Sequence, residues 1–323
     1  MNRRQYLTRA GTGVGTLTLL AGCLGDLTGS ETDGEAADRT GERALDRATG
    51  KLNEAALALQ VNDDAINDPE EIEFDPAKPN GLIDDAREYL GTAAAELADD
   101  RQADVDGLET YADILEGLVV VTDAITDETL EDDIDDVAAA IGGDGDLDSA
   151  ADAVDERTAT LATAQTRHEE AAADFEAFEK ARFEEVARID YAELEDGITT
   201  LGDVLDSFVT LGDGYESLLD GYEALEQGQT QFDNGEYERA ETSFTDAIAA
   251  FEMATDTFES DSEPPSGLTT NVETARCQSN ELTDAATAFS DAAAAATAGD
   301  PATADRRHSD GEQSLEAARN CSQ

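Results

Sequence analysis

The sequence predicts an all-α protein of antiparallel helical hairpins or a bundle, and three observations carry that expectation. Apolar residues recur at helical spacing along most of the 323-residue chain, the pattern of helices with one buried face. Strand-forming chemistry is scarce: Trp is absent, aromatics make up 5% of residues and there are only 6 prolines, whereas strand-rich folds need β-branched and aromatic runs with frequent turns. From Leu194 to Phe232 the apolar positions repeat every seventh residue, the spacing of a helix laid along a partner. At ~150 residues per domain the length suggests about two domains, an N-terminal helical region (40–190) and a C-terminal one (191–323), behind residues 1–39.

Asp and Glu number 77 against 20 Lys and Arg, a formal charge of −57. Such a chain repels phosphate backbones, so nucleic-acid binding is excluded as a function class. Self-repulsion opposes compaction, yet the chain is 40% hydrophobic at a spacing that acidic disordered tracts lack. Molar salt reconciles the two, because the screening length falls to ~3 Å and repulsion becomes local. Lysine occurs only at Lys51, Lys78 and Lys180, and the acidity is spread along the chain rather than in blocks. The composition resembles that of proteins from halophilic archaea. A calcium-buffering acidic protein in dilute medium is the alternative reading.

Residues 1–22 read as a signal peptide and 23–39 as a flexible tether. Arg3-Arg4 stands ahead of Tyr6-Leu7, a short apolar stretch runs from Ala10 to Leu20, and Leu20-Ala21-Gly22-Cys23 follows. A charged start, a brief apolar run and small residues before a cut are the parts of an export signal, and the run is too short to cross ~30 Å of hydrocarbon. Arg3 and Arg4 resemble a twin-arginine export motif, and Leu-Ala-Gly-Cys resembles a lipobox. Together they are similar to the start of a twin-arginine-exported lipoprotein. That resemblance implies cleavage before Cys23, lipid on its thiol, attachment to the membrane through that lipid and an extracytoplasmic location. Gly11-Thr12-Gly13-Val14-Gly15 mimics a phosphate loop, but no strand precedes it and it lies inside the signal.

The body follows as helices. Leu45, Leu52, Leu57 and Leu59 mark one from Thr40 to Asp68, stopped by Pro69. Pro69, Pro76 and Pro79 with Asn80-Gly81 make an irregular connection, with Phe74 placed to pack beneath it. Ile83, Ala86, Leu90 and Leu97 line a helix over 82–98, and Leu108, Tyr111, Leu115, Leu118 and Val119 line one over 105–125. Ile134, Val137, Ala138 and Ile141 give a short helix ending at Gly142-Gly143. Residues 148–189 read as one long helix carrying Val154, Leu161, Phe175, Phe178, Phe183 and Val186.

Two stretches bear on metal chemistry. Asp144, Asp146, Asp148, Asp152 and Asp155 have the spacing of a calcium loop, in which a hard cation takes carboxylate oxygens. Ser149 stands where the sharp turn wants Gly, and Asp155 where a longer bidentate Glu belongs; Asp148 serves equally as a helix N-cap. The only histidines are His168 and His308. A di-iron bundle needs Glu-x-x-His pairs, and Gln165 holds the place of the glutamate before His168, so His168 reads as a satisfied or solvated side chain. No cofactor is expected, and no metal beyond that calcium candidate.

The seam places Leu194, Leu201, Phe208, Tyr215, Tyr222 and Gln229 in one register, with Gly197, Val204, Leu211, Leu218, Leu225 and Phe232 interleaved. Glycines 197, 202, 212, 214, 221 and 228 lie along it, each costing ~1 kcal/mol against Ala. This helix is therefore stable only when packed, and close backbone approach or local kinks account for the glycines. Asn234-Gly235 interrupts the seam. Across that break Gly228, Gly235, Tyr237, Ala240, Phe244 and Ala247 resemble a tetratricopeptide helix pair, over about one 34-residue unit. The resemblance implies small residues at a close helix crossing, a tyrosine at the turn, an aromatic in the shared core and a peptide-binding groove. Gln231 departs from the pattern where tyrosine is usual, and Glu252 where proline often ends the unit. Ala292, Gly299, Ala304 and His308 form a fainter second copy.

Gly299-Asp300-Pro301 is a stop, a cap and a helix-starting proline in succession. Cys277 and Cys321 are each 22 residues from Gly299, so an antiparallel hairpin folded there sets the two thiols side by side, ~33 Å from the turn. With Cys23 taken by lipid, a Cys277–Cys321 disulfide is expected. No Gly-x-Ser-x-Gly elbow or metal-ligand pair is present, and an enzyme is not expected. The expected function is a lipid-anchored, cell-surface helical scaffold or protein-interaction module, with a protein or peptide partner. The alternative is a ligand-binding lipoprotein associated with transport, although the familiar two-lobed binding proteins need alternating strands and helices.

Overall fold

A computed structural model describes residues 33–59, 74–127, 129, 133, 136–137, 139–141, 145–260, 264 and 268–321. Among these residues every regular element is helical, and the all-α expectation holds. The first helix, α1 (Asp33–Ala58), begins inside the expected tether, because Glu35, Ala36, Ala37 and Arg39 are strong helix formers. Its buried face is Ala44, Leu45, Ala48, Leu52, Ala55 and the following Leu59, a run of three- and four-residue steps. Leu57 falls off that face and is 64% exposed, correcting its assignment to the apolar stripe.

Helix α2 (Ala77–Glu96) takes in Pro79, Asn80 and Gly81 of the connection expected to be irregular, while Pro69 lies outside the described residues. Asp75 accepts the N–H of Ala77 at 3.0 Å, and Pro79 sits in the first turn, where its missing N–H has no carbonyl partner to lose. A short 3₁₀ turn (Asp99–Arg101) leads into α3 (Gln102–Ile125), whose Leu108, Tyr111, Leu115, Leu118 and Val119 are all buried. Helix α4 (Leu147–Ala177) stops short of the expected Ile189, and α5 (Lys180–Ala187) follows as a separate piece. The aromatic residues explain the break. With Phe178 extended, Phe183 turns inward until fully buried, its ring 5.3 Å from Tyr111, 5.4 Å from Phe178 and 5.7 Å from both Phe175 and Tyr191. A continuous helix would leave this edge-to-face cluster unmade. Arg188, at φ 57°, ends α5, and α1 caps its carbonyls: Asn53 Nδ2 donates to Ala187 O at 3.0 Å.

Helix α6 (Tyr191–Asp233) is the spine. At 1.5 Å per residue it extends ~65 Å. Its first turns bury Ile198 in the core shared by α1–α5, while Val204, Leu205 and Phe208 meet Val121, Leu161 and Ala164 of α3 and α4. Its last half joins α7 (Tyr237–Ser260), α8 (Thr269–Thr297) and α9 (Pro301–Arg319). Each of these packs antiparallel on the one before it, giving a layer in which neighbours in sequence are neighbours in space. Arg276 of α8 secures the layer by donating from Nε and Nη2 to Phe258 O at 2.9 and 2.6 Å, covering the last carbonyls of α7.

Ion pairs tie the two halves of the N-terminal core. Asp104 of α3 is held by Arg101 at 2.5 Å and by Arg182 of α5. Burial alone would raise its carboxyl, but the hydrogen bonds and charges of both guanidinium groups hold it below the ordinary value. Arg157, buried on α4, reaches Asp133 at 2.8 Å, Asp127 at 3.2 Å and Thr129 Oγ1 at 2.7 Å. Burial raises Asp127 too, and is outweighed by hydrogen bonds from Thr129 and by Arg157, which keep that carboxyl low.

Candidate functional site

The α6–α9 layer is where the sequence motifs converge. Its first hairpin turns at Gly235, at φ 75°, a conformation that Gly adopts without a Cβ penalty. The turn is a Schellman motif, with Glu236 N donating to Gln231 O at 2.8 Å and Gly235 N to Phe232 O at 2.9 Å. Tyr237 lies half-buried beside it, its ring 5.2 Å from Phe232. Ala240, Phe244 and Ala247 are fully buried or nearly so. Gly228 is buried against the Phe244 ring, and a Cβ there would lie 2.5 Å from a ring carbon. Gln231, the departure from the tetratricopeptide pattern, accepts a hydrogen bond from the Ser243 hydroxyl at 3.0 Å, a polar contact where the family pattern places an aromatic.

The close contact does not end with that unit. Gly221 receives Phe251 with the same 2.5 Å limit, and Gly214 receives Phe258 more tightly still. Each step of seven along α6 is matched by a step of seven back along α7. The sequence shows both series, 214-221-228 and 244-251-258; their complementarity emerges only once Gly235 fixes the register. The other seam glycines differ. Gly202 gives room to His168, whose Nε2 lies 2.9 Å from Ile198 O, so that histidine is a satisfied side chain. Gly197 faces open space.

The second hairpin repeats the turn. Gly299 has φ 77°, with Asp300 N donating to Ala295 O and Gly299 N to Ala296 O, both at 3.0 Å. Asp300 caps α9 through Thr303, whose hydroxyl and N–H hold its carboxyl below the ordinary value. Ala292 and Ala304 are buried. Here the glycine lies on the second helix: Gly311 receives Phe289, which in turn stacks on Phe244 at 5.5 Å. His308 is half-buried between Phe289 and Phe232, with ring centres at 5.1 and 5.3 Å. Cys277 and Cys321 are joined in a disulfide, with Cα atoms 5.8 Å apart, at the far end of this hairpin.

Around the seam the surface is crowded with carboxylates. Burial raises Glu216, and the charges of Asp155, Asp220 and Asp213 raise it further. Tyr215 is pushed up to about 12 by burial. Two hollows occur. One, of about 30 Å³, lies beside Arg157, Gly212 and Tyr215, room for about one water. The other is a groove of about 510 Å³ between α3 and α4, lined by Asp113, Glu116, Gly117, Arg167, Glu170 and Asp174. Arg87 reaches its rim, 2.7 Å from Asp113 and 2.6 Å from Glu116.

The calcium candidate takes a different form. Asp144 lies outside the described residues, and Asp146, not Asp148, is the N-cap of α4, accepting from Asp148 N and Ser149 N at 3.1 and 3.4 Å. Because the helix starts at Leu147, Asp148, Asp152 and Asp155 are spread along its exposed side instead of curling round a cation. Among the described residues no three His, Cys, Asp or Glu side chains gather into a metal-holding group. No described helix is long and apolar enough to cross a membrane. Arg3, Arg4 and Cys23 lie outside the described residues. No protein-family model, curated protein or solved structure matches the chain.

Proposed function

We propose that the chain is a lipid-anchored, extracytoplasmic scaffold whose α6–α9 layer presents a stiff, open helical surface to a protein or peptide partner in a salty medium. The observation that carries this reading is the sequential packing of α6 to α9 around Gly228, Phe244, Phe289 and Gly311, with two identical glycine turns. Helices stacked in chain order leave broad faces uncovered, as in repeat modules of the tetratricopeptide kind. Arg3-Arg4 and Leu-Ala-Gly-Cys23 supply the address. The test is cross-linking of the anchored chain at native salt, followed by peptide mapping. Cross-links to another protein concentrated on residues 191–321 support the scaffold; recovery of a small molecule and no protein cross-link overturns it. Anchoring is tested separately, since Cys23→Ser should move the chain from the membrane fraction to the soluble one.

A second reading, a ligand-binding lipoprotein associated with transport, rests on the α3–α4 groove, whose volume is that of a small-molecule site. A ligand extracted from the purified chain and lost on Gly117→Leu would favour it.

A further inference from the structure

Helix α9 is held unlike any other helix of the C-terminal layer. It packs along α8, and His308 reaches past α8 to the Phe232 ring of α6. Its buried residues are Ala304, Gly311 and Ala318, one every seventh position. Two methyl groups and a bare backbone, with the partly buried Leu315 beside them, are a slight apolar anchor for a 19-residue helix with a largely polar sequence. What they cover is larger: the Phe289 ring, 1% exposed, lies against Gly311 and His308. The hairpin is closed at one end by the Gly299 turn and at the other by Cys277–Cys321, where Cys277 is exposed and Cys321 half-buried.

We propose that α9 is a covalently latched cover over the Phe289 side of α8, released when an external dithiol reduces Cys277–Cys321. The step balances: the dithiol gives two electrons and two protons, the S–S bond breaks into two thiols, and the dithiol closes to its own disulfide. Release frees α9 to swing on the Gly299 turn while α6 and α7 stay joined through their phenylalanine–glycine contacts, and α8 stays on α7 through the Phe244–Phe289 stack and the Arg276 hydrogen bonds to Phe258 O. The latch does not depend on the scaffold reading, since it concerns only how α9 is retained.

The test is amide hydrogen exchange of the full chain at native salt, with and without dithiothreitol. A cross-link spanning 44 residues shifts an opening equilibrium by up to about a thousandfold. Exchange over residues 301–319 should therefore rise, by up to about that thousandfold, while residues 237–260 keep their protection. The double variant Cys277→Ser/Cys321→Ser should reproduce the reduced pattern without reductant. Unchanged protection of α9 after complete reduction overturns the proposal. So does simultaneous loss of protection in α7 and α9, which would make the disulfide a staple of the whole layer rather than a latch.

Discussion

The close pairing of α6 with α7 is tested by adding a single methyl group at two glycines of the same helix. At Gly221 the new Cβ falls 2.5 Å from Phe251, about 1 Å inside ordinary carbon contact. Phe251 is fully buried, so its ring has little room to retreat. Overpacking of this kind costs about 1–3 kcal/mol, offset by the ~1 kcal/mol that Ala gains over Gly inside a helix. Gly221→Ala should thus fail to stabilise and cost up to about 2 kcal/mol. At Gly197 nothing lies within 4 Å, so Gly197→Ala keeps the helix gain and should stabilise by up to ~1 kcal/mol. The assay is urea unfolding in molar salt, followed by the helical circular dichroism signal, with the midpoints compared at unchanged slope. A Phe251→Leu background should relieve the clash, giving a favourable coupling of roughly 1 kcal/mol with Gly221→Ala. Equal stabilisation by both glycine substitutions would refute the interlocked register.

Arg157→Ala should destabilise by about 1–2 kcal/mol in thermal melts, because two carboxylates lose their shared partner while solvent still screens Asp127; Arg157→Lys should recover only part, lacking the fork. Asp104 has a folded-state pKa below its unfolded one, so its stabilisation is present above the ordinary carboxylate value and is lost as pH falls through the depressed one. Asp104→Asn should lower the urea midpoint at pH 7 and flatten its decline between about pH 5 and 3. Gly235→Ala meets no neighbour but forces φ 75° on an L side chain, a loss of about 1 kcal/mol. Dilution from molar to ~0.1 M salt should erode the helical signal as the screening length grows from ~3 to ~10 Å; a full signal in dilute buffer would remove screening from the account.

Much of this fold was legible because its strongest signals are periodic. Ile83, Ala86, Leu90 and the 194–232 seam place apolar residues at helical steps, and equal arms about Gly299 brought Cys277 to Cys321. What the sequence hid depends on contacts distant along the chain. Residues 148–189 have unbroken helical spacing, and only the pull of Phe183 toward Tyr111 and Tyr191 explains why the chain bends at Phe178. The Asp146 cap is likewise a matter of one residue's backbone: Asp146 and Asp148 are chemically equal candidates, and the helix start at Leu147 decides between them. At the candidate site the small and aromatic positions were readable, whereas the partner of each glycine was not, since heptad spacing alone does not set which ring meets which gap.

The glycine seam and the acidic surface constrain each other. Phenylalanines seated against bare backbone at Gly214, Gly221 and Gly228 bring α6 and α7 close together, and close helices bring their carboxylates close as well. Glu216, raised first by burial and then by the charges of Asp155, Asp220 and Asp213, lies in the same kind of crowd between α4 and α6. Dispersion contacts within the seam act over contact distance and are indifferent to screening, while repulsion across the surface decays with the ionic atmosphere. Salt therefore selects the closely packed arrangement by weakening only its opponent. The few large apolar side chains left exposed among the described residues, Leu57 and Met253, fit the same balance, since salts excluded from the protein surface strengthen apolar association and would make a greasier exterior self-associate. Glu216→Gln removes one charge from that crowd without touching a glycine. It should raise the urea midpoint at low salt by the equivalent of a few tenths of a kcal/mol, with the gain shrinking toward zero in molar salt. An equal gain at both salt concentrations would mean that the crowding is not felt as charge.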